Sequence, residues 1–174
     1  MDIIIFTDGS CIKKNGKCYA GYSVHFPNKE FDDISKPFVK EPATNQRAEL
    51  YAIYCALKKV TEHYDMSIVN SIKIYTDSEY SIKSLTEWIQ SWVQNNWKTA
   101  NKKPVKNMDI IVPIYNILQK FPNKINLIHV RAHTKKTDYF SVHNDIADKL
   151  AVNGSNKSIN FFKRITPTKK IIQE

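Results

Sequence analysis

Two aspartates stand where an apolar, strand-like run gives out. Ile3-Ile4-Ile5-Phe6-Thr7-Asp8-Gly9-Ser10 passes abruptly from strand residues into turn residues. The same pattern returns at Ile72-Lys73-Ile74-Tyr75-Thr76-Asp77-Ser78. Strand side chains alternate between faces, so an Asp two places after Phe6 and another two places after Tyr75 leave their strands from equivalent registers. If the strands are parallel neighbours, their C-terminal ends set two carboxylates side by side, where open α/β sheets bind ligands. Carboxylates so close repel, and a divalent cation relieves the repulsion. Taken singly, each Asp also fits a plainer role as cap of the turn or helix that follows. Repetition of the whole pattern argues against that role for the pair.

The elements around these tips follow from periodicity. Residues 2–8 read as the first strand, and 11–18 as a polar connection containing the turn signal Asn15-Gly16. Tyr19 to Phe26 and about Phe31 to Val39 read as two further strands; short connections make the first three an antiparallel meander. Thr44 opens a helix in which Leu50, Ile53, Tyr54, Leu57 and Val60 recur at helical spacing. Glu49 lies on or beside that apolar stripe, where a carboxylate needs a partner or a metal. Read alone, it fits better as a partly exposed acid near a helix start. A strand over 72–77 and a helical stretch from Ser78 to about Trp97 come next. A helix over 108–121, a strand from Ile125 to Val130 and a last helix from about His143-Asn144 complete the chain, with Asp148 beside the last helix's apolar side.

The chain has 174 residues, 42% of them hydrophobic, which suits one domain with a proper core. No apolar run is long enough to span a bilayer, and the start lacks the features of a signal peptide. Cys11, Cys18 and Cys55 have no zinc-finger spacing and read as reduced thiols in an intracellular protein. The net charge of +9 favours a polyanionic partner. Its distribution is informative: between Glu87 and Asp109 there are four lysines, three tryptophans and no acidic residue. Lysines suit phosphates, and aromatics pack on sugars or bases. The competing account is an ordinary loop whose tryptophans belong to the core.

Taken in order, these segments resemble ribonuclease H type 1, the enzyme that removes RNA from RNA/DNA hybrids. The matching residues are Thr7-Asp8-Gly9-Ser10-Cys11, Thr44-Asn45-Gln46-Arg47-Ala48-Glu49-Leu50 and Thr76-Asp77-Ser78-Glu79-Tyr80. They continue with Trp97-Lys98-Thr99-Ala100, Lys102-Lys103-Pro104-Val105-Lys106-Asn107, Val130-Arg131-Ala132-His133 and Asn144-Asp145-Ile146-Ala147-Asp148-Lys149-Leu150-Ala151. The resemblance covers about residues 2–152 and is specific because the pieces are collinear. It implies an α/β fold of the ribonuclease H type, a five-stranded mixed sheet flanked by helices, as a catalytic domain over 1–152 with a basic tail over 153–174. It implies a metal site of Asp8, Glu49, Asp77 and Asp148 holding two Mg2+, or Mn2+ in their place, with His133 as the histidine of a loop before the last helix. It implies endonucleolytic cleavage of the hybrid's RNA strand, leaving 5′-phosphate and 3′-hydroxyl ends. Thr44 and Asn107 would form a phosphate pocket on the DNA strand, Asn45 and Gln46 would reach the minor groove, and Trp88, Trp92 and Thr99 would line a channel beside a basic protrusion. A monomer acting in the cytoplasm, or the nucleus of a eukaryotic or viral source, on primers or R-loops is the corresponding setting.

The chain departs from that pattern in places. The loop from Asp8 to Gly21 lacks a Gly/Pro-rich run, and Glu79 stands where an uncharged residue is common. The segment from His133 to Asp148 is long and holds Lys135, Lys136 and a second histidine, His143, so the acting histidine is open between two. The opening Met1, with no basic, aromatic binding module ahead of the domain, favours a free-standing protein over a piece of a reverse transcriptase. Two rival readings are a non-catalytic hybrid-binding protein and a nuclease of the same superfamily acting on DNA. The four intact carboxylates oppose the first, and the Trp/Lys segment opposes the second.

Overall fold

The computed structural model describes residues 1–132, 134 and 136–165. Its sheet contains β1 (Asp2–Lys14), β2 (Lys17–His25), β3 (Ile34–Phe38), β4 (Ser71–Thr76) and β5 (Ile125–His129), in the order β3-β2-β1-β4-β5. The first three are antiparallel, while β4 and β5 run parallel to β1. This is the mixed five-stranded sheet expected from the sequence. The helices are α1 (Asn45–His63), α2 (Glu79–Lys83), α3 (Ile89–Gln94), α4 (Met108–Lys120) and α5 (Tyr139–Ile165). A π-type turn over Ser84–Trp88 joins α2 to α3, so the expected helix after Ser78 is one interrupted rod.

The period-two pattern of β1 sorts the layers. Ile3 and Ile5 are fully buried in the main core with Leu50, Ile53, Leu57 and Val60 of α1. Ile4 and Phe6 face the opposite layer, where Phe6 packs with Tyr75 and with Ala147 of α5. Thr44 is the N-cap of α1, its hydroxyl accepting the Arg47 N–H at 3.2 Å.

Three sequence expectations are corrected. The first strand does not end at residue 8: it runs to Lys14 and pairs with β2 down to Lys14↔Lys17. The reason is local. Asn15 (φ 49°) and Gly16 (φ 73°) both take positive φ, as a tight two-residue hairpin requires, so polar residues on either side stay in the ladder. Cys11 and Cys18 lie across this hairpin with Cα atoms 5.6 Å apart and are bonded to each other rather than reduced; Cys55 is free. Finally, α5 begins at Tyr139 rather than near His143 and continues to Ile165, so residues 153–165 are helix.

The docking of that extension is made of small residues. A Cβ at Gly21 would lie 2.0 Å from the Ser155 nitrogen, and one at Gly154 would lie 2.5 Å from the Lys36 carbonyl oxygen. Side chains on the sheet reach the helix backbone across this short gap: the Ser23 and Ser35 hydroxyls donate to the Ala147 and Leu150 carbonyls, each at 2.7 Å. Replacing Gly21 with Ala is expected to push α5 off the sheet and lower the unfolding free energy by about 1–3 kcal/mol or more. Urea unfolding measures this.

Candidate active site

Phe6 and Tyr75 are register partners in the parallel pair β1/β4, and their rings stack at 4.9 Å. Two residues beyond each, on the face toward α5, come Asp8 and Asp77. The other face of β1 at this level carries Gly9, where a Cβ would meet the Glu49 nitrogen at 2.4 Å. Glycine there lets α1 sit directly on the strand and brings Glu49 to the tips. From α5, Asn144 donates to Asp77 Oδ2 at 3.0 Å, and Asp148 follows one turn later. Asp8, Glu49, Asp77 and Asp148 line one open pocket.

Burial makes this gathering electrostatically costly. Asp8 is 5% exposed, and among the described residues its carboxylate accepts one hydrogen bond, from the Gly9 N–H at 2.8 Å. Burial first, then the charge of Asp77, with Asp148 and Glu49 adding, hold its carboxyl well above the usual range. Glu49 is pushed up to about 7, mainly by burial and further by Asp77, although Ser78 and Asn45 oppose the shift. Those two groups grip it: Asn45 Nδ2 donates to Oε1 at 2.6 Å and the Ser78 hydroxyl donates to Oε2.

The donor set suits a hard divalent cation: four carboxylates, all oxygen, mutually repelling. As the side chains stand, no three Asp, Glu, His or Cys among the described residues close around one point. The hydrogen bonds explain this, since Glu49 is turned to Asn45 and Ser78, and Asp77 to Asn144. Each carboxylate oxygen has a second lone pair, so these bonds do not bar metal ligation.

A groove adjoins the pocket, lined by Asn45, Gln46, Glu49, Asp77, Tyr80 and Arg131 among others. Glu79 also lines it and faces Lys83 at 3.8 Å. Thr44 and Asn107 are linked through the buried Arg47: its backbone caps on Thr44, and its guanidinium reaches Asn107 Oδ1 at 3.3 Å and holds Asp109 at 2.7 Å through both terminal nitrogens. Asn107 is buried and also donates to the Tyr80 hydroxyl at 2.9 Å, so both ends of its amide are engaged.

The Trp/Lys segment divides. Trp88 is 39% exposed, with Trp92 and Tyr80 about it at 5.9 and 6.1 Å between ring centroids. Trp97 instead packs on the core against Tyr115. Thr99 and Lys103 pair through the backbone at 2.8 Å, closing a turn on which Lys98, Lys102, Lys103 and Lys106 are exposed. His133 lies outside the described residues. His143 does not line the carboxylate pocket; its Nδ1 is 2.8 Å from His25 Nε2. Sequence reasoning missed Ser78, Arg47 and Asn144 as supports of the site. All three fall inside the motifs quoted above, which is the signal that could have found them.

The family model described as RNase H matches residues 1–156. A probable ribonuclease H of Acanthamoeba polyphaga mimivirus is 37% identical over 156 residues, covering 88% of this chain and 67% of the relative. A ribonuclease H of Schizosaccharomyces pombe is 38% identical over 156 residues, covering 88% of this chain and 53% of the relative. The chain thus spans about half to two thirds of these relatives. Among solved structures, the PFV RNase H domain in solution has a TM-score of 0.71 at 28% identity, covering 89% of this chain and 94% of that one.

A carboxylate whose folded pKa is raised binds its proton more tightly in the folded chain than in the unfolded one. Its contribution to stability is therefore present below the ordinary carboxylate range and is lost as pH rises through about 7 for Glu49. In metal-free protein, Glu49→Gln is expected to raise stability near pH 8 by on the order of 2 kcal/mol and to flatten the decline between about pH 5 and 8. Urea unfolding across that range checks it.

Proposed function

The chain belongs to the RNase H family, and we propose that it is an endoribonuclease that hydrolyses the RNA strand of RNA/DNA hybrids, leaving 5′-phosphate and 3′-hydroxyl ends. The observation that carries this reading is the convergence of Asp8, Glu49, Asp77 and Asp148 on one pocket beside an open groove. Two Mg2+ ions, or Mn2+ in their place, would supply an activated water and neutralise charge on the phosphate and the leaving oxygen. Asp8, Glu49, Asp77 and Asp148 would hold them. The raised proton affinities of Asp8 and Glu49 fit this role, because a bound cation offsets both the burial and the repulsion that raise them. His133 would move a proton or help product leave.

The groove residues suit the substrate. Asn45 and Gln46 carry amides that can both donate to and accept from a 2′-hydroxyl, the group that separates RNA from DNA at a given site. The Thr44 hydroxyl keeps a hydrogen to donate to a DNA-strand phosphate, while Asn107 would have to release one of its present partners to do the same. Trp88 and Trp92 offer aromatic faces with Thr99 beyond them, and the lysines of the turn meet phosphates. Such contacts read backbone and groove, so sequence preference is weak. We assign the protein to the cell interior as a monomer acting on RNA primers or R-loops. Among the described residues no helix is long and apolar enough to cross a membrane.

With a hybrid labelled on its RNA strand, Mg2+ is expected to support cleavage of that strand alone and EDTA to abolish it, with duplex DNA and duplex RNA uncut. Asp8→Asn is expected to abolish cleavage while hybrid binding stays largely intact; Mg2+-dependent activity retained in this variant would refute the assignment. Replacing Lys102 and Lys103 together with Ala is expected to flatten the slope of log affinity against log salt by about 2, if each meets one phosphate. Filter binding across a salt series reads that slope.

A further inference from the structure

A second polar cluster lies beneath the start of α5, and nothing in the proposed chemistry uses it. His25, at the end of β2, is 3% exposed. Its Nδ1 is 2.8 Å from Asp33 Oδ2, and its Nε2 is 2.8 Å from His143 Nδ1. The imidazoles stack at 5.0 Å, with Phe6 against both and Tyr139 against His143 at 4.4 Å. Asp33 is itself fixed, its Oδ1 accepting the Phe26 N–H at 2.9 Å. A buried polar chain of this kind costs stability unless every member is satisfied, and here each bond is short.

The next residue after His143 is Asn144, which is 2% exposed and holds Asp77. One turn on is Asp148. We infer that His25, fixed by Asp33, is a positioning residue: through His143 it pins the opening turns of α5, and so keeps Asn144 on Asp77 and Asp148 at the pocket. This rests on the proposed role of the carboxylates, though the pinning itself does not.

The hydrogen-bond logic makes the inference specific. An ionised Asp33 only accepts, so His25 Nδ1 carries a hydrogen. A neutral His25 then has a lone pair on Nε2, and His143 donates to it from Nδ1. One added proton is tolerated on the outer nitrogen of His143. A second puts hydrogens on both facing nitrogens and breaks the link. The charged or titratable groups around the cluster are Asp33, Lys29 (3.8 Å from Asp33), Glu30 and Tyr139, with Tyr75 beyond Phe6. Burial first, and then His25, hold His143 below the ordinary histidine range. The link tolerates this first proton and is lost only with a second, so the pinning is complete at neutral pH and above.

The test uses the full chain with His25→Phe, which keeps the ring stack and removes both hydrogen bonds. With Mg2+ near pH 8, kcat on the hybrid is expected to fall roughly tenfold while KM is little changed, as for other supports of metal ligands. In the metal-free protein, amide exchange over residues 142–148 is expected to quicken relative to the rest of α5. Should His25→Phe not fold, the half-buried His143 carries the test: His143→Asn sets an amide donor where Nδ1 stands and is expected to retain protection, whereas His143→Phe loses it. Unchanged kcat and unchanged exchange in His25→Phe, or equal exchange in the two His143 variants, would overturn the inference. Failure of wild type to cut the hybrid would strike the proposed function instead, and the metal-free exchange comparison would still decide the pinning.

Discussion

The structure depends on one pairing: β1 lies parallel to β4 with Phe6 opposite Tyr75. A one-residue slip would turn every side chain on one strand to the other face. The stacked rings of Phe6 and Tyr75, packed under Ala147, resist that slip. With the register fixed, Asp8 and Asp77 must emerge at the same end and on the same face. The mutual repulsion of the site is thus imposed by the sheet, and the sheet's core bears its cost.

The helices complete what the strands begin. Gly9 and Gly21 remove the side chains that would keep α1 and α5 away from the sheet, and each close approach delivers an acid, Glu49 from α1 and Asp148 from α5. Around these acids the chain supplies neutral donors: Ser78 and Asn45 for Glu49, Asn144 for Asp77, the Gly9 N–H for Asp8. Neutral donors orient carboxylates without cancelling their charge, which leaves the charge to attract cations. The guanidinium of Arg47 is spent on Asp109 and, like that of Arg131 in the adjoining groove, is not among the groups lining the carboxylate pocket.

Much of this was legible in the residues. The doubled strand-to-Asp pattern carried both the register and the two strand-tip acids, and helical spacing carried α1. Glu49 was not legible alone, because an acid in an early helical turn looks solvent-facing; its burial comes from Gly9, which no periodicity marks. The length of α5 was hidden for a related reason. Its docking face uses Gly154, Ser155 and Ser158, buried through closeness rather than hydrophobicity. The hairpin beyond Asp8 looks like a loop in the sequence because its residues are polar, although Asn15-Gly16 announces its turn. The contact of His25 with His143 joins positions 118 apart in sequence and had no local signal at all.

The most direct test of the central claim is the proton count of metal binding. Mg2+ titrated into the metal-free protein near pH 7, by calorimetry in two buffers of different ionisation enthalpy, reports protons released on binding. If the four carboxylates are the metal site, binding must eject protons held by Asp8 and Glu49, and Asp8→Asn must weaken it and release fewer. Binding with no proton release, and with the same affinity in Asp8→Asn, would place the cation elsewhere and contradict the account.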